Sequence, residues 1–184
     1  MLLYDDAAGA ALSVAAGEAR WLDAPGYGTH HVLLGLLRTR DPVTERLTDA
    51  HPGLTVDAVL VAVGKAGAAP PSAPPAPPRR PVPAPEFRQA MDHVMARWRP
   101  LVRSGQLRTG RRLGCRELWL AVLDPSAASS RMLRSLGADP DELRSSVLAT
   151  MVPDGRPVPA WPREVPPGTV GRLAARLLGH GTRT

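Results

Sequence analysis

The pattern of apolar and polar positions is helical in two separate stretches, roughly residues 5–64 and 86–151. Residues 7–22 and 86–102 each repeat apolar side chains three and four positions apart, as on one face of an amphipathic helix. Residues 32–37 are apolar at nearly every position, which is typical of a short buried helix. The alternating pattern and Asn-Gly turns of strands and hairpins are missing from the sequence. The sequence therefore predicts an all-α fold.

Capping residues mark the predicted helix starts. Thr29 is placed to be the N-cap of the short buried helix. The dipeptide Asp-Pro at 41–42, 124–125 and 139–140 combines an N-cap residue with proline at the first helical position. Glu142 follows three residues after the last of these aspartates, which completes a predicted capping box.

Proline divides the chain of 184 residues into folding segments and connectors. Residues 70–85 hold nine of the 21 prolines. Each proline fixes φ and removes a backbone donor, so this run is expected to be an extended spacer. The predicted division is a first helical unit (1–64), a linker (65–85), a second helical unit (86–151) and a proline-rich tail with a short C-terminal helix (152–184).

The two helical units are related by an internal repeat. Residues 28–37 (GTHHVLLGLL) align with residues 114–123 (GCRELWLAVL) at an offset of 86, with Gly35 or Ala121 at the same place. Each copy is predicted to hold four helices in about 60 residues, which is small for an autonomous core. We therefore expect the copies to pack on each other as a pseudo-twofold pair.

Residues 28–37, preceded by an alanine-rich helix ending in residues 17–20 (GEAR), resemble the N-terminal domain of Clp unfoldases, most closely the ClpC type. That domain is a tandem of two four-helix repeats, each with a Gly-Thr-Glu-His-Leu-Leu-Leu-like segment at the start of its second helix. The resemblance covers residues 1–151 apart from the linker, and it is stronger in the first copy. It implies an all-α tandem of two Clp repeats, standing free of the ATPase motor.

What the resemblance implies is a non-enzymatic module that binds proteins or peptides. In full-length unfoldases this domain receives substrates and adaptor proteins, and cyclic peptide antibiotics bind its apolar surface. The implied partners are therefore protein or peptide ligands, such as Clp protease components, or a cyclic peptide antibiotic. An adaptor, a decoy and an antibiotic-sequestering protein stay open as roles. The phosphate-binding Gly-x-x-x-x-Gly-Lys-Ser/Thr loop of the motor does not occur in the sequence, and we predict no cofactor.

The resemblance also places a groove for hydrophobic peptides between the first helices of the two copies. The predicted peptide-binding residues are Leu2, Leu3, Tyr4, Phe87 and Met91. Large apolar side chains near a chain terminus are candidates for a partner-facing patch. Burial in the core is the alternative that stays open, above all for Met91.

A second set of predicted contacts is polar. ClpC-type domains recognise phosphoarginine through the acidic residue that follows threonine in each copy, and here those positions are His30 and Arg116. Since arginine repels a guanidinium that a carboxylate would pair with, we expect this recognition to be weakened at the first position and lost at the second. Polar or anion contacts are predicted for Thr29, His30, Arg112 and Arg116.

The net charge of +6 is unevenly distributed. Residues 1–64 carry four arginines and eight acidic residues, whereas residues 86–151 carry eleven arginines and seven acidic residues. Residues 97–116 hold seven arginines and no acid, close to Trp98 and Trp119. A solvated loop, a surface for an acidic protein and a nucleic-acid contact are the open interpretations. The alternative function is therefore a regulatory nucleic-acid-associated protein, although a recognition-helix motif is missing from the sequence.

The remaining candidate chemistry predicts no catalytic or metal site. A single cysteine, Cys115, excludes a disulfide framework, and it occupies the threonine position of the repeat, which favours a capping or semi-buried thiol. His30 and His31 point about 100° apart on a helix, without a third ligand at metal-binding spacing. The sequence lacks a run of ~20 apolar residues, and its start does not resemble a signal peptide, so a cytoplasmic location is expected.

Overall fold

A computed structural model describes residues 3–67 and 82–163, without the side chains of 65–67. Two strands of two residues, β1 (Gly26–Tyr27) and β2 (Val82–Pro83), pair in parallel. The described helices are α1 (Asp6–Trp21), α2 (Thr29–Thr39), α3 (Pro42–Ala50), α4 (Val56–Gly67), α5 (Pro85–Arg103), α6 (Cys115–Val122), α7 (Ala128–Ser135) and α8 (Pro140–Ala149). The all-α prediction is confirmed. The predicted C-terminal helix and most of the proline-rich linker lie outside the described residues.

Two of the predicted helix caps form as expected. The Asp41 carboxylate accepts a hydrogen bond from Val43 N at 3.0 Å, and α3 begins at Pro42. The Asp139 carboxylate accepts from Asp141 N at 2.9 Å, and α8 begins at Pro140. Both bonds join residues two positions apart, so local sequence is sufficient to place them.

The other two predicted caps are wrong. The N-cap of α2 is Gly28, because Thr29 Oγ1 instead donates a hydrogen bond to Glu86. Helix α7 begins at Ala128 and not at residue 125. The Asp124 carboxylate instead accepts hydrogen bonds from the backbone N–H and the hydroxyl of Ser126, which precedes that helix. Thr29 is therefore held by a distant helix, whereas Asp124 makes a local bond to Ser126 N that caps a turn and not a helix.

Two short crossings join the two halves of the chain. Tyr27 pairs with Pro83 between β1 and β2, and Tyr4 bridges Leu113 in the same parallel sense. The second crossing is also held by a hydrogen bond from Leu113 N to Leu3 O at 2.8 Å. Each crossing joins the segment before the first helix of one half to the segment before the second helix of the other. The tandem repeat itself stays a prediction. Pairings of two residues are too short to show in a sequence pattern.

One hydrophobic core runs through both halves. Helices α1 and α2 approach so closely that a Cβ added to Gly35 would lie 2.1 Å from Ala11 O. Trp119 of the second half is fully buried, and its Nε1–H donates to Thr44 Oγ1 of the first half at 2.9 Å. The division of the chain at residue 64 stays a prediction, and α4 itself continues to Gly67.

Candidate functional site

The first turn of α2 is organised by the side chain of His31. His31 Nδ1 accepts a hydrogen bond from Gly28 N at 3.1 Å. Glu117 does the same at the start of α6, where its Oε2 accepts from Gly114 N at 2.8 Å. In both helices the third residue therefore reaches back to the N-cap backbone, as in one half of a capping box. This bond assigns the proton of the neutral His31 ring to Nε2.

Both histidines of this turn are held in the neutral form. Burial of His31, with a smaller effect of the neighbouring His30, lowers the pKa of His31 to about 4, although the charge of Glu86 opposes the shift. Burial also lowers the pKa of His30. The two rings lie against each other with centroids 3.9 Å apart. At neutral pH this turn therefore presents imidazole and not imidazolium.

Glu86 connects this turn to α7. Its Oε1 accepts from Thr29 Oγ1 and from Ala128 N, both at 2.7 Å. Thr29 Oγ1 in turn accepts from Ser129 N at 3.3 Å. Because Ala127, the N-cap of α7, has no side-chain acceptor, Glu86 supplies the cap from a distant helix. Thr29 is fully buried within these bonds, which favours a structural role for this predicted contact residue.

A cleft of about 790 Å³ opens between the start of α2, α4 and α7. Its walls are mostly apolar, and its polar side chains are His30, His31, Arg131 and Ser135. Val61 is 57% exposed on the α4 wall. The apolar lining consists of Leu22, Ala24, Ala58, Val61, Ala62, Val63, Gly64, Ala128, Met132 and Leu136. A concave surface of this size, mainly apolar with a few polar groups, has the composition of a ligand site.

The cleft does not coincide with the groove predicted at the first helices. Phe87 and Met91 are 2% and 3% exposed and belong to the core. This burial favours the alternative interpretation, that the two residues fill the core and do not contact a peptide. Tyr4 is half-buried beside Leu113, and Leu3 is exposed. Leu2 lies outside the described residues. The structure therefore does not bring the described members of this set together as an open apolar surface.

A signal for the observed cleft was present in the sequence of α4. Residues 56–63 (VDAVLVAV) are apolar on more than one side of the helix. Val59 and Val63 are buried, whereas Val61 remains exposed. A helix that is apolar beyond its core face predicts an additional contact surface.

A smaller cleft of about 280 Å³ surrounds the start of α6 and contains the predicted Arg112 and Arg116. Both arginines are exposed, and Arg116 Nη1 donates to Thr150 O at 3.2 Å. Burial, followed by the nearby Asp41 carboxylate, raises the pKa of the Cys115 thiol above its usual range. A thiol that stays protonated is a poor nucleophile, which agrees with the interpretation of Cys115 as a buried thiol.

The arginine-rich stretch is only partly available to a partner. Arg97 is buried, where its Nη1 donates to Asp124 Oδ2 at 2.6 Å and its Nη2 to Arg163 O at 3.2 Å. Burial alone would raise the pKa of the Asp124 carboxyl, but the hydrogen bonds from Ser126 and Arg97 outweigh it and lower that pKa. The exposed arginines of this stretch are Arg99, Arg103, Arg108, Arg111, Arg112 and Arg116.

Residues 3–67 and 82–163 contain neither a cluster of metal ligands nor a membrane-spanning helix. Their histidine, cysteine and acidic side chains do not form a group of three that could hold a metal ion. Within the same part of the chain, the helices are too short or too polar to cross a membrane.

Comparisons with known proteins identify the fold. No family model and no curated protein matches the chain. Among solved structures, the chain is similar to the crystal structure of the N-terminal domain of the caseinolytic protease-associated chaperone ClpD from Arabidopsis thaliana. The match has a TM-score of 0.58 and 20% sequence identity, and it covers 80% of this chain and 93% of the ClpD domain. The expected Clp N-domain-like fold is thereby confirmed.

Proposed function

From this Clp N-domain-like fold, we propose that the chain is a non-catalytic protein-interaction module whose cleft between α2, α4 and α7 receives apolar peptide segments. The observation that carries the proposal is the apolar wall of the cleft, on which Val61 remains 57% exposed. Burying such a surface against apolar side chains of a partner is favourable by roughly 25 cal/mol per Å². Contacts of this kind require no particular sequence, which suits a receptor for varied segments.

The proposed partners are proteins or peptides that expose apolar segments. Components or substrates of a Clp protease meet this description, and the chain would then act in the cytoplasm as an adaptor or a decoy. An apolar cyclic peptide presents the same chemistry, and its capture would sequester an antibiotic. Leu3 and Tyr4 stay predicted as an additional contact region outside the cleft.

The proposal is tested by placing a charge on the apolar wall. We expect Val61→Asp to weaken binding of a fluorescein-labelled, uncharged Leu-rich peptide at least tenfold, because the carboxylate must be desolvated on contact. Val158→Asp is the matched control, since Val158 is 44% exposed and lies outside the cleft. Fluorescence anisotropy measures binding, and circular dichroism checks the fold of both variants. Equal affinities of the wild type and Val61→Asp would contradict the proposal.

The exposed arginines support a second candidate, a nucleic-acid contact. Six arginines between residues 99 and 116 are exposed. Duplex DNA binding that weakens steeply with salt, and that Arg111→Gln together with Arg112→Gln reduces, would favour this alternative. Binding in the apolar cleft should instead respond little to salt.

A further inference from the structure

A buried hydrogen-bond donor lies at the cleft. His31 is 2% exposed and contributes to the cleft lining. Its Nδ1 accepts from Gly28 N, so the ring proton is on Nε2. Nε2 has no hydrogen-bond partner among the described residues. Leaving a buried N–H without an acceptor is costly, and a ligand oxygen that accepts from His31 would remove that cost.

The charges around the cleft favour an anionic acceptor. Arg131 of α7 is exposed at the cleft, and none of the described lining residues carries a carboxylate. Arg131 Nη1 donates to Ser126 O at 3.3 Å, which uses one of the five N–H donors of a guanidinium. Glu86, whose charge reaches both histidines, already accepts hydrogen bonds from Thr29 and Ala128. The lining thus combines an apolar wall with one cation and one buried donor.

We propose that the cleft selects apolar peptide segments that carry an Asp or Glu side chain, with its carboxylate accepting from His31 Nε2–H and from Arg131. The apolar neighbours of that residue would contact the α4 wall at Ala58 and Val61. This inference rests on the proposed function of the cleft. A carboxylate has two oxygens and a negative charge, so it can satisfy both groups at once. A backbone carbonyl brings no charge to Arg131, and a lysine or arginine of the ligand would be repelled by it.

The ring of His30 lies beside that of His31 at the cleft. Its centroid lies 3.9 Å from that of His31, and the residue is half-buried. Burial lowers the pKa of His30, so its ring at the cleft is largely neutral at pH 7.5. The charge that attracts the carboxylate at that pH is consequently that of Arg131.

Two peptides that differ at one position test this proposal. Both are acetylated, amidated and fluorescein-labelled, and the central residue of an otherwise identical Leu-rich sequence is Glu in one and Gln in the other. Anisotropy titration at pH 7.5 should show about tenfold tighter binding of the Glu peptide to the wild type, as expected for charge-assisted hydrogen bonds. We expect Arg131→Gln to bring this ratio below about threefold. Arg134→Gln, an exposed residue of the same helix outside the cleft lining, should leave the ratio unchanged.

His31→Gln tests the buried donor separately. A glutamine oxygen can still accept from Gly28 N, so the first turn of α2 keeps its cap while the ring N–H is lost. We expect this variant also to reduce the ratio of the two affinities, with an unchanged far-ultraviolet dichroism spectrum. If the variant does not fold, Arg131→Gln and Arg134→Gln carry the test alone.

The possible results separate this inference from the proposed function. Equal binding of the Glu and Gln peptides, with both lost in Val61→Asp, would overturn the carboxylate preference and leave the apolar receptor intact. An equal drop in Arg131→Gln and Arg134→Gln would show an unspecific charge effect and would also overturn it. Failure of both peptides to bind the wild type would reject the proposed function itself.

Discussion

Substituting Gly35 by alanine perturbs a close contact between α1 and α2 in the core. A Cβ at this position would lie 2.1 Å from Ala11 O, 3.0 Å from Ala11 C and 3.2 Å from Ala15 N. All three atoms belong to the backbone of α1, so no side-chain rotation can make room. A carbon atom needs about 3.5 Å from its neighbours, and α1 and α2 must therefore separate by roughly 1 Å.

The cost of this separation is larger than the gain in helix propensity. Overpacking a core costs about 1–3 kcal/mol and occasionally more, and the backbone contact places Gly35→Ala at the upper end. Alanine is favoured over glycine within a helix by about 1 kcal/mol. We therefore expect a net loss of about 2 kcal/mol in the free energy of unfolding. For a chain of this size, that loss lowers Tm by roughly 4–8 °C.

The assay is urea unfolding followed by circular dichroism at 222 nm. A lower midpoint with an unchanged m value would report a loss of stability. Gly9→Ala is the matched control, because Gly9 lies within α1 and a Cβ there meets no described atom within 4 Å. We expect this control to be stabilised by about 0.5–1 kcal/mol. The reasoning is refuted if Gly35→Ala is as stable as the wild type while Gly9→Ala behaves as expected.

Two further predictions concern stability. The folded state takes up the His31 proton near pH 4 and the unfolded chain near 6.5, so protonation favours unfolding between these values. The neutral His31 ring contributes fully to the free energy of unfolding above pH 7, and this contribution falls by about 2 kcal/mol at pH 5. Urea unfolding of His31→Gln at several pH values should lack this part of the pH dependence. Thr44→Val removes the acceptor of the buried Trp119 Nε1–H and should cost about 1–3 kcal/mol by thermal unfolding. Thr48→Val, on the same helix with bonds only to α3 backbone, should change stability by less than about 0.5 kcal/mol.

The helices themselves could be predicted closely from local pattern. The predicted ranges 7–22 and 86–102 correspond to α1 (Asp6–Trp21) and α5 (Pro85–Arg103). Prediction failed at Thr29 because its side chain donates to Glu86. It failed at Asp124 because the carboxylate accepts from Ser126 N at the start of a turn, with Arg97 as a further partner. Glu86 lies 57 residues from Thr29 and Arg97 lies 27 residues from Asp124, beyond the reach of any local rule.

The candidate site was predictable only in part. His30 lines the larger cleft, and Arg112 and Arg116 line the smaller one, but their role as contact residues stays a prediction. The apolar contact surface was expected at Phe87 and Met91, which instead fill the core. The same amphipathic sequence at a helix start can face either the core or a partner, and only the neighbouring elements that pack against it decide which.

The amino-acid sequence alone determined the helical elements and the caps of α3 and α8. Periodicity and capping act within about four residues, so the information is contained in each segment. The tertiary structure decided which apolar side chains stay uncovered, how Glu86 caps a helix from another part of the chain, and which cleft contains His31 and Arg131. Burial and hydrogen-bond pairing depend on residues that come into contact only on folding, and the sequence of a single segment does not specify those distant residues.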